Sequence, residues 1–360
     1  MTRTPRLEVA ASRGLLLALA LALGATTLAA AAREPLTRGD PASRLLRAEA
    51  ETEYWDFTIE LDSGHRVFSR FAITNDGPGE ETAYAIGHVV TPEGALFPFQ
   101  NGRRKGRWSI SPNGLRVEIG SSLLVLADPV RRLEVDRNKM GVIFDLRFSP
   151  PPRGRAQDLG LGSYWIDLLH AAAPVEGTLW LAGMAEPSPV RGRVAATHTW
   201  MAAPEMDLAL RRIEFFSLRS EASLYLSEVL TPQGRRLQRL LLEQNGALVY
   251  ETDRLELLPA DGPGPETSSG YPVPRAFQLR APNLEGELEL GKLLLEHDPM
   301  GVIPQPFRLF FSLRTKPRRV WLGSRFGVRL RPGLDDSVLE LSGSGVTTVT
   351  FTNPLPIGRS

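Results

Sequence analysis

Between Glu53 and Leu61 every second position is apolar, with Trp55, Phe57, Ile59 and Leu61 on one side and Tyr54, Asp56, Thr58 and Glu60 on the other. That period of two is the signature of a β-strand whose faces differ. Asp62-Ser63-Gly64 then turns the chain, and Val67, Phe71 and Ile73 share a face on the way back. The same pattern returns over Thr82–Val90 and over Val142–Phe148, where Val142, Phe144, Leu146 and Phe148 oppose Asp145 and Arg147. Further extended runs fall at Leu210–Leu218, Ser223–Val229, Gly286–Leu295, Phe307–Leu313, Val320–Leu322, Val328–Leu330 and Val346–Phe351. Between them lie Gly- and Pro-containing turns, so the pattern predicts an all-β chain with hardly any helix. Arg235–Gln244 fits strand or helix, and Leu258–Pro274 reads as an unstructured insert because its Pro, Gly and Ser leave little to bury.

With 360 residues the chain is long enough for two domains, each able to bury a core. Antiparallel strands in that number close into barrels, which removes exposed edges, and small barrels can enclose one apolar ligand. The expected organisation is a leader over 1–32, a linker over 33–50, a first barrel over 51–174, an inter-domain segment over 175–201 and a second barrel over 202–360. A faint internal repeat accompanies it. Thr91-Pro92-Glu93-Gly94 matches Thr231-Pro232-Gln233-Gly234, and Met140-Gly141-Val142-Ile143 matches Met300-Gly301-Val302-Ile303 at a different offset.

Composition narrows the chemistry. The net charge of +1 and the absence of a basic tract interleaved with aromatics argue against nucleic acid as a partner. Cysteine is absent, which removes disulfides, thiolate metal sites and a cysteine nucleophile. His65, His88, His170, His198 and His297 are scattered without ligand spacing, so no metal is expected, and no motif points to another cofactor. Arg3, Arg6 and Arg13 precede the apolar run Gly14–Gly24 and the small residues Ala29–Ala32, the order of an export leader. A periplasmic or secreted location is the expectation, with an N-terminal membrane anchor as the alternative.

The central stretch Val175–Met201 carries the candidate chemistry. It holds two short predicted strands around Glu186-Pro187-Ser188-Pro189, then Thr197-His198-Thr199-Trp200-Met201. Together with Glu53-Tyr54-Trp55-Asp56, Ser163-Tyr164-Trp165, Gly177-Thr178-Leu179, Gly192 and Ile213-Glu214-Phe215-Phe216-Ser217-Leu218, it resembles, in order, the motifs of the two-domain lipocalin-like family of carotenoid 1,2-hydratases and AttH-type exported proteins. The resemblance implies two lipocalin-like antiparallel β-barrels in tandem. It also implies a hydratase proton donor at the position before His198, where this chain has Thr197, and threonine is no acid.

The resulting expectation is non-catalytic binding of a lipid or isoprenoid-like apolar molecule, in a pocket lined by Trp55, Tyr164, Trp165, Trp180, His198 and Trp200. Peripheral contact with a membrane or a transporter stays open. The alternative is a terpenoid or carotenoid hydratase, isomerase or cyclase using His198, Asp56 or Glu214 as a substitute acid. Alternation allows Asp56 and Glu214 to face solvent, and Glu53 reads as structural.

Overall fold

The computed structural model describes residues 41–44, 50–75, 81–149, 155–158, 163–218, 222–245, 247–302, 307–312, 315–331 and 338–352. The expected leader and most of the linker lie outside them. Two antiparallel sheets, each curled toward a barrel, account for nearly all of the described chain.

The first sheet holds β1 (Thr52–Leu61), β2 (Arg66–Thr74), β3 (Thr82–Val90), β4 (Leu96–Arg104), β5 (Trp108–Ile110), β6 (Arg116–Ile119), β7 (Ser122–Val125), β8 (Arg131–Arg137), β9 (Val142–Phe148), β10 (Arg155–Asp158), β11 (Tyr164–Leu181) and β12 (Ser188–Met201). Its order is β4-β3-β2-β1-β12-β11-β9-β8-β7-β6-β5, with β10 beside β11. After the short helix α1 (Glu205–Leu208), the second sheet holds β13 (Arg211–Ser217), β14 (Ala222–Leu230), β15 (Arg236–Gln244), β16 (Ala247–Thr252), β17 (Glu256–Pro259), β18 (Ala276–Ala281), β19 (Leu284–His297), β20 (Arg318–Leu330) and β21 (Leu339–Phe351). Its order, β16-β15-β14-β13-β21-β20-β19-β18-β17, repeats the plan of the first: an opening meander whose first strand pairs with the last strand of the sheet. Phe307–Ser312, expected as a strand, is the helix α2.

Residues 175–201, expected between the domains, run through the end of β11 and all of β12, and β1 is paired along its whole length with Gly192–Met201 of β12. The close approach explains two glycines of this stretch. A Cβ on Gly192 would stand 2.1 Å from the Glu60 carbonyl oxygen, and one on Gly177 1.9 Å from that of Asp145. Arg236–Gln244 resolves as strand, because Leu240 and Leu242 enter the second core while Leu241 packs outward on Leu168 and Phe216. The 258–274 insert is no bare loop: Val273 is buried, and Tyr271 stacks on Phe351 at 4.6 Å.

The internal repeat separates into turn chemistry and topology. Thr91 and Thr231 close the same turn, each taking an amide bond from the glycine three residues on, with Gly94 and Gly234 at φ 94° and 80°. Yet the first turn joins β3 to β4 and the second β14 to β15, which hold different ranks in their sheets. The matching letters are a turn used twice; the duplication lies in the sheet order.

Each barrel has its own core, and a third packing surface joins them. Trp55, Phe57, Ile59 and Leu61 fill the first barrel with Phe71, Phe99 and Phe144. Phe215, Leu240, Leu288 and Phe326 are among those filling the second. The outer face of β1 and β12 is buried as well: Tyr54, Tyr164, Ile166 and Met201 pack against Ala209 and Val229, and Phe68 stacks on Trp321 at 5.1 Å. Beside that pair, His88 and His297 meet edge to face at 5.1 Å.

Burial holds both imidazoles down, each to about 4, with His88, Arg319 and Arg70 adding to the effect at His297 and Asp298 opposing it. The unfolded chain takes these protons near pH 6.5, whereas the folded chain refuses them until about pH 4. Stability is therefore expected to fall as pH drops through that window, by about 1 kcal/mol or more for the pair. Urea denaturation of the wild type and of a His88→Leu/His297→Leu variant, followed from pH 7 to pH 4.5, checks this. The variant's curve should be flatter, and an equally steep one refutes the assignment.

Candidate functional site

The paired strands β1, β12 and β11 present two faces with opposite roles. On the inner face, at one mouth of the first barrel, register sets side chains in rows. Glu53, Trp200 and Trp165 form the outermost row; Trp55, His198 and Asp167 form the next; Phe57, Ala196 and His170 follow. A β-bulge between Leu168 and His170 breaks strict alternation along β11 and aligns His170 with this face, beside Phe148.

His198 is the centre of the second row and is wholly buried. Its Nε2 lies 2.7 Å from Glu53 Oε1. Its ring stacks on Trp55, with centroids 4.8 Å apart and planes at 11°, and lies 5.0 Å from the Trp200 ring. Trp165 stacks on Trp200 at 5.8 Å. Glu53 receives two further bonds from the segment before β1: Ser43 Oγ donates to Oε2 at 2.6 Å and the Arg44 amide to Oε1 at 2.7 Å. The same segment accepts the Trp55 indole N–H at the Pro41 carbonyl, 3.0 Å away. The Arg44 guanidinium lies over the Trp200 ring at 4.5 Å and 3.9 Å from Asp167. Residues 41–44 therefore cover the mouth with polar contacts to the groups inside it. Two buried carboxylates, Glu53 and Asp167, flank one imidazole, and three indoles wall the set.

The outer face is an ionic weld between the barrels. Asp56 is gripped by two arginines in fork geometry, Arg70 at 2.7 and 2.7 Å and Arg319 at 2.9 and 2.8 Å. Burial opposes the charge on Asp56, but Arg319 and then Arg70 outweigh it and hold the carboxyl well below the usual carboxylate range. Arg212 donates to Glu214 at 2.6 Å, to the Tyr54 hydroxyl at 2.8 Å and to Thr199 at 3.1 Å. Glu205 accepts from both Tyr54 and Tyr164 at 2.8 Å. An acid must hold a proton to give one, and Asp56 between its two arginines does not.

The structure therefore sorts the residues expected to form the site. Trp55, Trp165, His198 and Trp200 converge at the mouth. Asp56, Glu214 and Tyr164 lie on the opposite face, between the barrels, buried rather than solvated. Trp180 is at the far end of β11, where its indole donates to the Met184 carbonyl. Thr197 also belongs to the outer face, 3.5 Å from Arg212, so its lack of a carboxyl takes no acid away from His198's side. Glu53, which the sequence pattern marks as structural, and Asp167, which no sequence motif singles out, supply the carboxylates beside His198. Both were findable by alternation: Glu53 is in phase with Trp55, and Asp167 with Trp165. A separate groove of about 1160 Å³ lies on the second barrel between β18, β19, β20 and β21. Its rim of Arg280, Glu285, Arg325 and Arg329 shares no residue with the mouth.

Two curled antiparallel sheets in tandem, welded along β1 and β12, define a two-barrel lipocalin-like protein. Three solved structures share this architecture. An AttH-type protein from Nitrosomonas europaea is 12% identical and superposes over 88% of this chain and 100% of its own with a TM-score of 0.56. CghA, crystallised with Sch210972, is 10% identical over 89% of this chain and 96% of its own, TM-score 0.61. Kievitone hydratase from Nectria haematococca is 12% identical over 88% and 98%, TM-score 0.56. At such identities the likeness is one of fold. No family model matches the chain, and neither does any curated protein sequence.

Proposed function

We propose that this chain is an exported acid–base catalyst that adds water to, or shifts, a double bond of a largely apolar molecule held at the mouth of the first barrel. The observation that carries the reading is the buried Glu53–His198 contact of 2.7 Å beneath Trp55 and Trp200. It favours catalysis over the plain ligand binding expected from the sequence, because apolar binding has no use for an imidazole between two buried carboxylates. Burying those groups costs several kcal/mol of desolvation that their bonds must offset, a cost that plain apolar binding does not require. That a hydratase shares the fold supports the same reading.

In this reading the proton on the Glu53–His198 axis moves to one alkene carbon. The cation left on the neighbouring carbon faces indole rings, which stabilise positive charge through their π faces and keep bulk water out. Either a water adds there and returns its spare proton to the pair, or the pair removes a proton from an adjacent C–H and the double bond has moved. Pro41–Arg44 closes the mouth, and Ser43 and the Arg44 amide hold Glu53 in place by donating to both of its oxygens.

The test is incubation of the purified full chain in D₂O with a panel of prenyl alcohols and cinnamyl alkenes, read by mass spectrometry. Deuterium at carbon, or a product heavier by one water, is the expected result. Tryptophan quenching by these compounds with neither mass change would return the site to binding alone.

A further inference from the structure

Deeper in the same barrel lies a second polar pair. Arg131, at the start of β8, is 5% exposed and His170 2%. Arg131 Nη1 stands 3.0 Å from His170 Nε2, and since a guanidinium only donates, Nε2 is the acceptor and the ring proton resides on Nδ1. That Nδ1–H and the Arg131 Nε–H are both buried and have no acceptor among the described residues.

Three arginines are buried among the described residues. Arg212 has Glu214 at 2.6 Å and Arg319 has Asp56 at 2.8 Å, both buried carboxylates. Among the described residues Arg131 has only Asp128, at 3.9 Å and with its side chain 71% exposed. Burial pulls the Arg131 guanidinium below its ordinary value and, with Arg131 beside it, pushes His170 down to about 3, so the imidazole stays neutral and offers its N–H rather than a second charge. A buried cation and two orphan donors on converging side chains form half of a charge-assisted hydrogen-bond set.

The missing half is an anionic acceptor. His170 occupies the row below Trp55, His198 and Asp167, so whatever completes it extends from the mouth into the barrel. We infer that Arg131 and His170 form an anion subsite, and that the molecule taken by this barrel carries a carboxylate at one end of its unsaturated, apolar body. The inference rests on the mouth being the site, and it deepens that reading by naming the substrate's polar end.

The experiment compares cinnamate with cinnamyl alcohol, two probes of nearly one shape, by quenching of tryptophan fluorescence in the full chain. Cinnamate is expected to bind roughly tenfold more tightly or better, the margin of one charge-assisted bond. Arg131→Met should erase the margin and leave the alcohol's affinity within about threefold of wild type. It should also leave the thermal midpoint equal or higher, since it removes a buried cation that lacks a buried counter-charge. Equal affinity for the two probes in wild type overturns the inference. So does a variant that melts earlier and loses both probes together, the behaviour of a merely structural arginine. A carboxylate preference that disappears in Arg131→Met, in a protein that moves no proton to carbon, upholds the subsite and refutes the catalytic reading.

Discussion

Replacing Glu53 by Gln is expected to slow proton transfer to a bound alkene by about 100-fold or more, the scale on which a positioned acid–base group contributes. Gln keeps the shape, and its amide oxygen can still accept from Ser43 or from the Arg44 amide, so the covering segment retains an anchor. It cannot take a proton back from His198. Affinity for the alkene, followed by quenching of Trp55, Trp165 and Trp200, should stay within about threefold, because the indoles and not the carboxylate hold the apolar body. A variant with full activity removes Glu53 from the chemistry. One that loses binding in step with activity makes Glu53 a scaffold for the pocket. His198→Gln should lose activity to a similar degree, and the double variant little more than either alone, since the two act as a unit.

The second large effect is on stability. Asp56→Ala would leave Arg70 and Arg319 facing each other between the barrels with no charge to separate them. Removing one partner from a buried ion set costs roughly 3–5 kcal/mol, and here two cations are orphaned at once. Chemical denaturation at pH 7 should show the loss, and adding Arg319→Met to Asp56→Ala should recover part of it. The pH dependence has a definite sign. Because the folded carboxyl is held below its usual range, its contribution is complete above about pH 4 and drains away as pH falls further toward the folded value. Wild type should therefore lose this increment only in strong acid, a limb that Asp56→Ala lacks. Equal stability of variant and wild type at pH 7 would show the weld to be ornamental.

The alternation at Trp55, Phe57, Ile59 and Leu61 is enough to read a strand and its core face, and the same rule fills both barrels. What it cannot show is that the opposite face is also buried. Tyr54, Asp56, Thr58 and Glu60 look like a solvent side, and all four lie under cover because a second barrel packs there. Asp56 and Glu214 look like free acids by alternation, yet both are buried beside arginines: Arg212 is two residues from Glu214 on β13 and Arg70 faces Asp56 from β2, while Arg319 joins Asp56 only where the barrels meet. His198 stood out in sequence, but its neighbours did not, since Glu53 is 145 positions away and register alone joins them. His170 was hidden differently, by a bulge that no residue-type pattern announces.

The pairing of β1 with β12 also sets an order of events in time. In both sheets the opening strand waits for the last one, β1 for β12 and β13 for β21, while the hairpins between need only local contacts. Chains whose decisive contacts are so far apart in sequence fold slowly, because loop closure comes before its reward. Until β12 docks, Glu53, Trp55 and the charged flank at Asp56 belong to an open meander. Arg319 reaches Asp56 across 263 positions, later still as the chain is made. The mouth and the weld behind it are thus set by long-range closures of the molecule, and a nascent chain stopped anywhere before β12 has neither.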